Sequence, residues 1–165
     1  MPLPDRPVSN TTIESAWGQA VHDWVFAPSG CEASGNDTTV STSVTQLTID
    51  TAVEDPGGYV DTAGNDIEVP TDRAGLYSMS ARFWSTSGVD TNRTRCFIKV
   101  NGAEVIRSIE ENQTGGTIVV ALQTHERLTA GDIITFHAQK VGSGSNLGVK
   151  LKQFIMVRVG NEIGA

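Results

Sequence analysis

Three histidines, two cysteines and nineteen acidic residues are the groups in this 165-residue chain that could carry acid–base, nucleophilic or metal chemistry. His22 and Asp23 are adjacent, but neighbouring helix positions do not face each other and cannot form a dyad. His125 lies in Gln123-Thr-His-Glu-Arg127, which reads as a polar turn between strands. His137 alternates with Ile133 and Thr135 on the less apolar face of its strand. None of the three has the H-x-x-x-H spacing that binds a metal from one helix face. Gly142-Ser-Gly-Ser-Asn146 lacks the strand-to-helix setting of a nucleophile elbow and reads as a flexible loop tip. Phosphate-cradling glycine motifs are absent.

Asp50, Glu54, Asp55, Asp61, Asp66 and Glu68 gather in one stretch. Oxygen-rich loops can hold calcium, but this spacing matches no calcium loop, and solvated acidic loops are the reading. Glycosidase chemistry needs two carboxyl groups at a fixed separation in a cleft, which linear spacing does not show. The two cysteines form neither a disulfide framework nor a zinc pattern. Cys96 alternates with Ile98 and Val100 and reads as a core residue, whereas Cys31 sits in a Gly/Ser loop. Whether the two pair stays open. No catalytic residue, cofactor or metal is expected, and the chain reads as a non-enzyme.

The elements that must position any site follow from composition and period. The length predicts one domain. Charged residues make up 19% of the chain and the net charge is -7. Nucleic acid is an unfavourable partner for such a chain, because phosphate binding needs clustered cations. No segment approaches the roughly 20 apolar residues of a membrane-spanning helix. The N-terminus lacks a basic segment followed by an apolar run, so no secretory signal is expected.

Residues 1–10 are Pro-rich and read as an extended arm. Thr11-x-x-Glu14 is a capping box, and Ile13, Ala16, Trp17, Ala20, Val21 and Trp24 form one apolar stripe at helical spacing. A helix of about 13 residues is marginal alone in water, so the stripe needs a partner. Ile13, Trp17, Ala20 and Trp24 also make a short heptad seam. The stripe packs either on sister helices, on the chain's own sandwich, or on another protein. Ser29-Gly30 to Gly35-Asn36 reads as a linker, which divides the chain into an anchoring segment over 1–35 and a β head over 36–165.

From residue 38 the period becomes two. Tyr77, Met79, Ala81 and Phe83 face inward, with Ser78, Ser80 and Arg82 outward. Cys96, Ile98 and Val100 lead into Asn101-Gly102, a strong hairpin signal. Ile134, Phe136 and Ala138 alternate, and Leu147, Val149, Leu151, Gln153, Ile155, Val157 and Val159 give the longest alternation. The expected core includes Tyr77, Met79, Phe83, Ile98, Phe136, Leu151, Ile155 and Val157. About eight to ten short strands between turn clusters predict an antiparallel sandwich or barrel.

Three stretches together resemble the C1q/TNF-like jelly-roll family. They are Leu47 to Gly57-Gly-Tyr59; Ile67-Glu-Val-Pro70 followed by Ala74-Gly75-Leu76-Tyr77-Ser78-Met79-Ser80; and Ile98-Lys-Val-Asn-Gly102 with Leu128-Thr-Ala-Gly-Asp132. The segment from Ser15 through Trp17, Trp24 and Pro28 to Cys31 is similar to the helix that precedes such a head in bacteriophage minor tail and fibre proteins. The resemblance implies an all-β jelly-roll head that forms a homotrimer, made in the host cytoplasm and located in the virion. Ile13, Trp17, Ala20, Val21 and Trp24 would be the oligomer or virion-anchor interface. Implied partners are other phage virion proteins and a host surface receptor used in attachment. A tail-associated protein and a capsid decoration or head-fibre protein remain the two readings.

Overall fold

The computed structural model describes residues 30–86, 93–110, 117–142 and 145–161. The expected helix with Ile13, Trp17, Ala20, Val21 and Trp24 lies outside the described residues. Among the described residues there are twelve strands and no helix: β1 (Gly30–Ser34), β2 (Thr38–Val40), β3 (Thr45–Gln46), β4 (Thr51–Glu54), β5 (Val60–Asp61), β6 (Asp66–Glu68), β7 (Gly75–Thr86), β8 (Arg93–Val100), β9 (Ala103–Glu110), β10 (Thr117–Leu128), β11 (Ile133–Val141) and β12 (Leu147–Asn161).

The strands form two antiparallel sheets. The first runs β10-β7-β12-β1-β4, with β2 alongside β12; the second runs β5-β6-β11-β8-β9, with β3 alongside β11. The expected antiparallel sandwich is therefore the observed architecture. The period-two reading holds for β7, β8 and β11. Tyr77, Met79, Ala81, Phe83, Cys96, Ile98, Ile134, Phe136 and Ala138 are all buried. Phe136 is the centre of the core. Its ring lies 4.6 Å from Phe154 and 6.4 Å from Phe83, within the separations that tilted aromatic pairs prefer.

Polar pairs close the interior. Ser85 of β7 and Thr94 of β8 are buried with hydroxyls 3.2 Å apart, linking the two sheets. The Tyr59 and Tyr77 hydroxyls lie 3.2 Å apart. Tyr77 donates its proton to the Arg73 carbonyl, so Tyr59 is the donor to Tyr77. Burial pushes both phenols up, which keeps them neutral.

Three expectations are corrected. Ile155 and Val157 are exposed rather than core, while Phe154 and Met156 are buried. The register of β12 against β7 shifts between Leu151 and Gln153, and one extra residue in a strand swaps its two faces. Gly30–Ser34 is not linker but strand β1, paired with both β12 and β4. The head therefore extends back to Gly30, and Cys31 lies buried in a strand rather than in a loop. His125 stands within β10, opposite Ser78, and not in a turn. Cys31 and Cys96 are both buried and no disulfide joins them.

Candidate interaction surface

Strand alternation gives the first sheet an outer face built from residues out of phase with the core. On β7 these are Ser78, Ser80, Arg82 and Trp84; register places Val119 and Lys150 beside Trp84, and Ile155 and Val157 beside Ser80 and Ser78. Trp84 is 37% exposed, Val119 53%, Ile155 36% and Val157 40%. Lys150 and Lys152 hold their ammonium groups 5.5 and 4.8 Å from the Trp84 ring centre, a cation–π contact that leaves the rest of the ring open. Gln153 donates to Glu32 of β1 at 2.8 Å. Between these groups lies a depression of about 550 Å³ lined by Glu32, Arg82, Trp84, Val119, Lys152 and Val53 of β4. Trp84 and Val119 make one exposed apolar pair and Ile155 and Val157 another, on either side of Arg82 and Gln153, whereas isolated exposed apolar residues carry no such meaning.

The outer face of the second sheet is sorted by charge. Asp61, Asp66 and Glu68 stand on β5 and β6 at one edge. Burial, then the neighbouring carboxylates Asp61 and Glu68, push the Asp66 carboxyl up. The middle strand β11 presents Thr135, His137 and Gln139. The far strands present Arg95, Phe97 and Lys99 of β8 and Arg107 of β9, in register with β11. His137 is half-buried with Nε2 3.0 Å from the Thr135 hydroxyl. Burial, then the Lys99 charge, lower its pKa to about 4, so its ring is neutral at physiological pH.

The acidic loops spend several of their carboxylates on turns. Asp55 accepts from the Tyr59 and Val60 amides at 2.7 and 2.9 Å, and Asp61 from Ala63 at 2.9 Å. Among the described residues no group of three or more His, Cys, Asp or Glu side chains is placed to hold a metal ion. Cys31 is not an activated thiol, since burial and then Asp55 push its pKa up. The five residues expected to form the interface lie outside the described residues. The two sheet faces were not anticipated as sites. The signal for the first was present: Trp84 continues the outward phase of Ser78, Ser80 and Arg82.

No family model matches the chain, and no curated protein matches it. Solved structures do. The globular domain of zebrafish complement 1qA protein superposes with a TM-score of 0.62 at 14% identity, covering 81% of this chain and 99% of that one. Murine APRIL at pH 5.0 superposes with a TM-score of 0.52 at 19% identity, covering 75% and 98%. The chain thus has an all-β jelly-roll fold similar to that of these two C1q/TNF-type domains.

Proposed function

We propose that this chain is a non-enzymatic bacteriophage virion protein: a jelly-roll head that self-assembles as a homotrimer and binds other molecules rather than transforming them. The observation that carries the reading is the outer face of the first sheet, where Trp84 with Val119 and Ile155 with Val157 expose two apolar patches on β7, β10 and β12, with Arg82 and Gln153 between them. Burying that surface between copies removes it from water, at about 25 cal/mol per Å². A closed cyclic assembly satisfies every copy at once. Three heads held together would multiply the strength of weak individual contacts with a host surface.

The virion assignment rests on the resemblance of the segment from Ser15 to Cys31 to the helix of phage tail proteins. In this reading the Trp17 and Trp24 stripe, with Ile13, Ala20 and Val21, docks on a tail protein and the head points outward. The test is incorporation into particles. Trp17→Ala with Trp24→Ala is expected to abolish loading, and electron microscopy of wild-type particles is expected to place the head on the tail. Density over the shell instead selects the capsid-decoration role. Normal copy number of the double variant contradicts the anchoring role.

A further inference from the structure

The chain carries a net charge of -7, yet the second sheet collects cations at one edge of its outer face. Arg95, Phe97 and Lys99 project from the same side of β8, so the two cations span about 14 Å of strand. Arg107 stands opposite Phe97 on β9. Arg107 pairs with Glu104 at 3.3 Å; no carboxylate of the described residues pairs with Arg95 or Lys99. Arg95 is half-buried, and its Nε is out of solvent without a hydrogen-bond partner. Beside this cationic strip, β11 offers an uncharged one. Thr135, His137 and Gln139 lie directly opposite Lys99, Phe97 and Arg95. Of the acids, Glu104 stands on β9 opposite Lys99, and Asp61, Asp66 and Glu68 stand on β5 and β6, on the other side of β11.

A row of cations flanked by a row of neutral hydrogen-bonding groups fits a ligand that repeats both anionic groups and hydroxyls. We propose that the β8–β9 strip binds an anionic polysaccharide, whose carboxylate or phosphate groups meet Arg95, Lys99 and Arg107 and whose hydroxyls meet Thr135, His137 and Gln139. Guanidinium groups match both anions through paired N–H donors. Single-stranded nucleic acid fits less well, because it is held largely by base stacking on aromatic rings, and Phe97 on this face is only 4% exposed. The site lies on the sheet opposite the self-association face and is independent of it.

The full-length chain tests this by titration with polygalacturonate, which carries carboxylates, with a phosphomannan, which carries phosphates, and with neutral dextran. Binding to at least one polyanion and not to dextran is expected, weakening steeply as salt rises from about 50 mM. The polymer that binds identifies the anion. Arg95→Gln with Lys99→Gln is expected to lose about tenfold or more in affinity, about 1.4 kcal/mol. Glu104→Gln, which releases Arg107, is expected to bind more tightly, and Arg127→Gln on β10 of the other sheet to bind as wild type. Thermal melts confirm that each variant is folded; should the double variant not fold, the Glu104→Gln gain decides. No binding to either polyanion overturns the proposal. So do unchanged affinity in the folded double variant, no gain on Glu104→Gln, or tighter binding to single-stranded DNA than to either polysaccharide.

Discussion

Asn101 and Asp132, thirty-one positions apart, clasp two turns together: the Asn101 side-chain amide donates to Asp132 Oδ1 at 2.8 Å. Each turn is locally specified. Asn101 and Gly102 have φ of 50° and 80°, the left-handed pair that a two-residue hairpin requires. Gly131 has φ of 80°, and Asp132 Oδ2 accepts from the Thr129 amide at 2.7 Å. The clasp is reciprocal, because Asn101 Oδ1 accepts from the Ile133 amide at 2.9 Å. Asn101→Ala should therefore cost about 1–2 kcal/mol, the range for hydrogen bonds that involve a charged partner. Urea unfolding measures it, and Asp132→Asn should lose part of the same energy. Because these bonds outweigh burial and lower the Asp132 pKa, the Asp132 contribution is present at neutral pH and is lost as pH falls through that depressed value.

Phe136→Ala should cost about 3–5 kcal/mol, the usual range for a buried aromatic. Its ring touches Phe154 from the opposite sheet, so the cavity would open between the sheets. An unchanged melting temperature would show that the β11 phase is wrong.

His137 should make stability fall on mild acidification. Its folded pKa is about 4, below the ordinary 6.5, so the unfolded chain takes up the proton first. Stability from this group is full above 6.5 and declines as pH drops from there to 4. The loss should be about 1–2 kcal/mol after allowance for partial solvent screening. His137→Gln, compared with wild type across that window, should remove this part of the slope; parallel curves would contradict it.

Truncation separates two boundaries. Removing residues 1–29 should leave a β-rich chain with a cooperative melt. Removing residues 1–35 deletes β1, strips the partner strand from β12 and β4, and should abolish the melt. A cooperative melt for the shorter chain would contradict the place of β1 in the sheet, and an unfolded longer one would make residues 1–29 part of the head's own core.

Much of the sandwich was legible because β7 and β11 keep strict alternation and β8 departs from it only at Phe97. What escaped was non-local. The extra residue near Lys152 leaves no mark in the sequence, since apolar side chains stand on both phases after it, and the wrong set, Ile155 and Val157, was assigned to the core. Strand β1 was hidden by Gly30 at its start and Gly35 just past its end. They read as linker, but a Cβ at Gly30 would fall 1.9 Å from the Met156 carbonyl oxygen, and one at Gly35 would fall 1.7 Å from that of Thr48. There glycine marks close backbone approach, at Gly30 within the sheet and at Gly35 just beyond it. The interaction faces were less legible still. Arg95, Lys99 and Arg107 are scattered cations in sequence, and only the pairing of β8 with β9 makes them one strip.

Light scattering of the full-length chain, with and without Ile155→Asp and Val157→Asp, tests the central claim most directly. Both residues lie on the outer face of β12, so charge there should break association while leaving the fold intact. The wild-type chain should scatter at about three times 17.6 kDa, and the folded double variant as a single copy. A wild-type monomer, or a variant that remains trimeric, would contradict assembly through the first sheet.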